Sequence, residues 1–393
     1  MSSSRTSVLV VGAGPVGLLL ALRLARANVA VTVIEAQNEL DNAPKAMAHL
    51  PAAFPDFQKA GIFDDLVAAA GELANTAMVF RRTSDSSIIF EPPHNPNRPG
   101  VLILPQGRLS SIVYEHLQRL ENATVLMGHT LRSFTDSAEG VTATVSTPDG
   151  SEQKFDALFL VGADGGRSTV RKLTGIEFEG ETLPCQLVAS DVYYDFAKHG
   201  GFKHANFMVD KENYGLISQI TTDGLWRVSF SVPLGLDMKD IEAIVPEKYE
   251  AMLPGPRPLE YKIDRLAPYK AQQLCATTFR KGRALLVGDA AHLTNPYAGW
   301  GMAAGVFDAS SLADALISCL EKGAPDSFLQ GWAEARREIF LKSVDPISKE
   351  CFWAVQDPDV DTLPQRHPHL RAMKAGKPPN IATDVTLLPG YVQ

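Results

Sequence analysis

The chain opens with a change of hydrophobic period. Val8 to Val11 form an unbroken apolar run suited to a parallel strand buried on both faces, whereas Leu18, Leu19, Leu22 and Ala25 recur at helical spacing. Val31 to Ile34 make a second short apolar run, so the pattern predicts a βαβ unit. Residues 44–74 read as a polar turn and two short helices, with the clearer pattern in "FPDFQKAGIFDDLVAAAGE". Alternation predicts strands at Thr76 to Arg81 and Ser87 to Phe90, followed by a loop or lid in "PPHNPNRPG". A helix is expected over "LPQGRLSSIVYEHLQRL", with Leu109, Ile112, Val113 and Leu117 inward, and two or three strands between Thr124 and Leu160.

The strand "ALFLVGADG" runs into a polar turn at Gly162 to Gly166, and Ser168 is placed to start a helix. Four runs then predict an antiparallel meander: Leu187 to Tyr194, Phe202 to Val209, Tyr214 to Ile220 and Trp226 to Val232. Packed across the first unit, such a sheet forms a wall with a cavity at the junction. His204, Asn206, Tyr214, Gln219 and Arg227 are its polar candidates, each with a solvent-facing structural role as the default. A second strand, glycine turn and long helix follow in "RALLVGDAAHLTNPYAGWGMAAGVFDASSLADALISCLEKG". Residues 324–354 continue as amphipathic helix, and the tail from Asp357 reads as a surface wrap.

Chemistry enters at the turns. Gly12, Gly14 and Gly17 reproduce G-x-G-x-x-G between the first strand and its helix, which permits a tight turn, close approach to a pyrophosphate and close helix packing. Glu35 ends the second strand, where a carboxylate can accept both hydroxyl hydrogens of an adenosine ribose. Together these predict an adenine dinucleotide site. Asp164, at a strand exit, can hold a sugar hydroxyl or order a loop over a phosphate, or it can merely cap its turn. No acid-His-Cys set near His292 has ligand spacing, so no metal site is expected, and no serine nucleophile elbow is present.

Composition narrows the classes. With 45% hydrophobic and 21% charged residues, the 393-residue chain suits packed domains sharing a cleft. A net charge of -8 offers no general field for nucleic acid. Cys185, Cys275, Cys319 and Cys351 are too far apart to form a redox or metal motif. No signal-like start and no unbroken bilayer-spanning apolar stretch are read, which points to a cytoplasmic protein.

Three separated segments, "GAGPVG", "GADGGRSTVR" and "GDAAHLTNPYAGWGM", resemble in order and spacing the fingerprints of the FAD-dependent aromatic hydroxylase family, the single-component flavoprotein monooxygenases. The resemblance implies an α/β fold with mixed sheets: a Rossmann-like FAD-binding domain from residues 1–75, 100–182 and 275–345, an antiparallel-sheet substrate domain from 76–99 and 183–274, and a C-terminal helix and tail at 346–393. It implies FAD contacts at Gly12, Gly14, Pro15, Val16, Gly17, Glu35, Ala36, Lys45, Arg108 with Gln106, Asp164, Asp289, Pro296, Gly299, Gly301, Met302 and Ala303. Lys45 stands in "PKA" where the family has Pro-Arg-Ala, which keeps the charge and loses the bidentate fork. Ala303 replaces an amide, and Trp300 adds bulk beside it.

The family chemistry is reduction of FAD by NADPH or NADH, oxygen activation on the flavin, and attack on an electron-rich ring. Expected partners are therefore a small aromatic substrate and molecular oxygen, in a monomer or homodimer. His204, Tyr214 and Arg227 are candidates to accept or stabilise a phenolic proton, with Pro296 beside the flavin ring. The alternatives are Baeyer-Villiger-like oxygenation, another flavin oxidation or reduction, or a nonenzymatic flavin-binding protein. A flavin-dependent halogenase is disfavoured by the missing Trp-x-Trp-x-Ile-Pro segment.

Overall fold

The structure is a computed structural model that describes residues 4–92, 99–375 and 381–392. In chain order its first half contains β1 (Ser4–Val11), α1 (Pro15–Arg26), β2 (Val31–Glu35), α2 (Phe54–Lys59), α3 (Phe63–Ala70), β3 (Met78–Arg82), α4 (Gln106–Leu117), β4 (Ala123–Met127), β5 (Glu152–Gly162) and α5 (Thr169–Thr174). The second half contains β6 (Phe178–Tyr193), β7 (Ala205–Val209), β8 (Gly215–Gln219), β9 (Leu225–Val232), α6 (Met238–Met252), β10 (Lys262–Ala276), β11 (Ala284–Leu286), α7 (Trp300–Glu321), α8 (Ser327–Ile339) and α9 (Asp345–Ala354).

Two sheets divide the work. The first is mixed and eight-stranded: its centre runs β11-β5-β1-β2-β4 in parallel, and strands at residues 130–136, 141–146 and 280–281 join it antiparallel. α1 lies on β1, β2 and β4 and is itself backed by α7, and Val8, Leu9 and Val10 are fully buried. The second runs β10-β6-β9-β8-β7-β3, antiparallel except where β7 meets β3. One face of this sheet joins the main core through Phe80, Phe207 and Tyr214, and the other packs Met208, Ile217 and Phe230 on α6.

The four-strand meander is only partly realised. β7, β8 and β9 are consecutive neighbours, but β6 lies beyond β9 and is sandwiched by the 15-residue β10. Segment 194–204 carries the chain across the sheet between β6 and β7, so sequence neighbours are not spatial ones. The loop or lid expected over residues 92–100 lies mostly outside the described residues. One helix, α7, is long and apolar enough to cross a membrane, which the sequence reading did not anticipate. In its most apolar window 78% of the residues are buried, and α7 is the central core helix, packed on α1 and α8.

Candidate active site

Three turns meet at the carboxyl ends of β1, β5 and β11, the position where parallel sheets bind ligands. Gly12 has φ +109°, and a Cβ there would stand 2.4 Å from the Ala163 carbonyl oxygen. A Cβ on Gly17 would stand 2.2 Å from the Gly12 carbonyl oxygen. Only glycine lets the fingerprint close on the β5 exit and on its own helix. Gly14 differs, because a Cβ there would meet no protein atom within 4 Å. It caps α1 with no side-chain partner, and Pro15 follows at the first helical position. The first-turn amides are thus open to an anion from the side of Gly14. Glu35 accepts from the Ala13 amide at 2.8 Å and the Gln37 amide at 2.9 Å, which fixes the carboxylate beside exposed Ala36. Each oxygen keeps acceptor capacity for a hydroxyl.

The late motif stands on this turn. Val16 methyls lie 3.2 Å from where a Cβ on Gly288 would be, and 2.7 Å from one on Gly305. Asp289, on the adjoining 3-10 turn, is accessible to solvent although burial raises its carboxyl above the ordinary range, partly countered by the charges of His292 and Lys45. A side chain both accessible and surrounded lines a deep cleft. Lys45 reaches this cleft from the 41–47 loop, paired with Asp41 at 2.6 Å. Gln106 and Arg108 begin α4 next to the same loop, where a Cβ on Gly107 would lie 2.6 Å from Asn42 Cα. Arg108 itself is half exposed and pairs with Glu115 at 3.2 Å.

Asp164 has a definite partner set. One carboxylate oxygen accepts from the Ser168 hydroxyl at 2.5 Å, and the other from the amides of Thr169 at 2.6 Å and Val170 at 3.2 Å. Of the two roles open from sequence, the structure displays the cap of α5. Asn295, missed in the sequence, anchors the next loop: it is 1% exposed and bonds Gln273, the Ser348 carbonyl and the Tyr297 amide. Pro296 therefore starts a held 3-10 turn that ends at Gly299, φ +69°. Gly299 caps α7 without a side chain, so the amides toward Gly301 and Met302 present the positive end of a 22-residue helix. Trp300 and Ala303 pack into the main core cluster, at 3% and 2% exposure. The Trp300 indole nitrogen is buried without a hydrogen-bond partner.

The sheet candidates separate by face. Asn206 pairs in register with Ile217, and Ile217 and Met208 belong to the cluster around α6. His204, two residues earlier, shares that face and bonds Gln219 at 2.6 Å. His204, Asn206 and Gln219 thus face away from the nucleotide cleft, and the structure does not bring His204 to the site. Tyr214 and Arg227 face it. The solvent-facing default fails for Asn206, Tyr214 and Arg227, which are 1%, 5% and 7% exposed. Tyr214 packs on Tyr297 and Phe352, and burial pushes its hydroxyl well above the ordinary range. Arg227 is committed: it donates to both Asp191 oxygens, at 2.8 and 3.1 Å, and to the Lys45 carbonyl. That bond ties the sheet to the Lys45 loop. His292 donates to Asp308 at 2.7 Å and stacks on Phe340. Among the described residues no cluster of three His, Cys, Asp or Glu could hold a metal.

The residues present fit a flavin dinucleotide: free amides where a pyrophosphate is anionic, an acid where a ribose has hydroxyls, and a second helix N-terminus where a reduced ring carries charge. Comparison with known proteins points the same way. A family model described as "FAD binding domain" matches residues 5–346. Para-nitrophenol 4-monooxygenase of a Pseudomonas species is 35% identical over 360 residues, covering 90% of this chain and 88% of that one. The 6-hydroxy-3-succinoylpyridine 3-monooxygenase HspB of Pseudomonas putida is 33% identical over 352 residues, covering 88% and 87%. The crystal structure of p-nitrophenol 4-monooxygenase PnpA from Pseudomonas putida superposes with a TM-score of 0.89 at 33% identity, over 96% of this chain and 97% of that one.

Proposed function

Because this chain belongs to the FAD-dependent aromatic hydroxylases, the single-component flavoprotein monooxygenases, we propose that it uses NADPH or NADH and molecular oxygen to insert one oxygen atom into a small phenol. The observation that carries this reading is the convergence of the Gly12, Asp289 and Gly299 turns on one cleft walled by the second sheet. Bound FAD supplies the hydride acceptor and activates oxygen. The first-turn amides of α1 after Gly14 and Pro15, with Val16 and Gly17 behind them, hold the pyrophosphate. Glu35 and Ala36 take the adenosine ribose, and Asp289 the ribityl hydroxyls. Lys45, Gln106 and Arg108 edge the cleft, and Asp164 acts through the α5 turn that it caps.

The turn that Pro296 starts presents the first amides of α7, from Trp300 to Met302, which would donate to negative charge on a reduced ring, a preorganised contribution that costs no rearrangement. Tyr214, kept protonated by burial, donates a hydrogen bond rather than accepting a proton. Arg227 holds the wall to the Lys45 loop and so acts as a positioning residue. Para-nitrophenol, the substrate named for two of the relatives, is a small phenol of the class proposed here. Four free thiols, three of them buried, accord with a cytoplasmic setting.

The test is steady-state NADPH and NADH oxidation by FAD-loaded protein with and without 4-nitrophenol and related phenols. Oxidation stimulated by a phenol is expected. Oxidation of either nucleotide at a rate no phenol changes would contradict the reading.

A further inference from the structure

Followed across the strands, the cleft-facing side of the second sheet resolves into three transverse rows. One contains Tyr269, Leu187 and Ser231, with Tyr214 continuing it. The next contains Ala267, Ala189 and Ser229, running on to Leu216 and Phe207. The third contains Arg265, Asp191, Arg227 and Ser218. Rows on one face lie roughly 7 Å apart and neighbouring strands about 4.8 Å. Three small residues in the middle row therefore leave a hollow of about the footprint of one benzene ring, between a tyrosine rim and an arginine rim.

Ser229, in the middle row, is 4% exposed. Tyr269 is 42% exposed, yet burial pushes its hydroxyl up to about 12, with Arg227 opposing. The ring is thus reachable from solvent, while its hydroxyl lies within electrostatic reach of Arg227.

The charges at the arginine rim decide what fits. Arg227, the buried cation, is neutralised by the two hydrogen bonds it donates to Asp191, which is 1% exposed. Arg265 lies 3.6 Å from the same Asp191 with its side chain 36% exposed, and Lys45 is 56% exposed and paired with Asp41. The surplus positive charge is thus at the watery edge, where screening weakens it. A carboxylate entering the hollow would lose its hydration and meet Asp191 behind the buried cation of this rim, a desolvation cost without compensation.

We propose that this hollow seats a monocyclic phenol whose second ring substituent is uncharged, and that Asp191, by neutralising Arg227, is the residue that excludes ring carboxylates. The proposal rests on the phenol monooxygenase reading and narrows it. It separates this chain from a relative such as the succinoylpyridine monooxygenase, whose named substrate carries a carboxylate.

The experiment measures dissociation constants from the perturbation of the flavin spectrum in FAD-loaded protein, with 4-nitrophenol, 4-hydroxybenzamide and 4-hydroxybenzoate. The last two differ chiefly in charge. The amide should bind at least about tenfold more tightly than the acid in the native protein, and Asp191→Asn should narrow or reverse that ratio by freeing Arg227. Ala267→Phe, which fills the hollow and leaves Asp191 in place, should lose both neutral ligands while retaining FAD. Equal binding of amide and acid by the native protein, or 4-nitrophenol binding within about twofold of native in Ala267→Phe, would overturn the proposal. Binding as expected without any oxygenated product would instead count against the monooxygenase reading alone, since the spectral titration needs no turnover.

Discussion

Gly14 and Gly17 belong to one fingerprint but carry different loads, and their substitution separates folding from binding. A Cβ at Gly17 would collide with the Gly12 carbonyl oxygen at 2.2 Å, so Gly17→Ala should both destabilise the protein, by about 1–3 kcal/mol, and abolish stable FAD retention. A Cβ at Gly14 meets no protein atom within 4 Å, so Gly14→Ala should keep a native melting temperature in the apoprotein while FAD binds more weakly. Apoprotein melting curves and FAD titration check both, and equal melting losses in the two variants would refute the distinction. Such glycines, like Glu35, were legible in the sequence because their spacing is local. His204 was not, because its strand begins later than the apolar run suggests and one-residue parity decides which face it takes. Asn295 and Asp191 gave no local signal, since their partners lie far along the chain.

Between elements, a buried charge hub holds the late motif in place. Asp308 on α7 accepts from the Gly288 amide at 2.9 Å, from His292 at 2.7 Å and from Arg336 on α8 at 2.8 Å. Arg336 also donates to the Ala304 and Ile381 carbonyls, which ties the C-terminal segment to the cofactor turn. Burial raises the Asp308 carboxyl, but His292 and Arg336 more than offset it and hold it below the usual range. A depressed folded-state value contributes stability that is present above the unfolded value of about 3.9 and is lost as pH falls through the folded one. Arg336→Met strands that carboxylate and should cost about 3–5 kcal/mol near neutrality. Its acid-unfolding midpoint should move to higher pH than that of the native protein, and an unchanged midpoint in circular dichroism would contradict the role. The helices themselves were readable from their periodicity. The hub and the long β10 were not, because the hub's partners lie far apart in sequence and burial along the 15-residue strand alternates irregularly; α6 does carry a helical stripe, Ile241, Val245, Tyr249 and Met252, with Pro246 inside it.

For the whole molecule, the two sheets account for what the sequence could and could not say. The parallel sheet builds its ligand site from strand exits, where glycine and acidic residues leave a compact signature, so the cofactor was visible in one reading. The antiparallel wall builds its recess from register across four strands, so the substrate face emerged only when Tyr269, Ala189, Ser229 and Arg227 were placed side by side. The central claim is that this cleft transfers one atom of molecular oxygen to a phenol. The most direct measurement is turnover of FAD-loaded protein with a reduced nicotinamide and 4-nitrophenol under oxygen-18 gas, followed by mass spectrometry of the aromatic product. A product carrying one labelled oxygen is predicted; an aromatic product whose new oxygen comes from water, or hydrogen peroxide alone across phenols that bind the site, would contradict it.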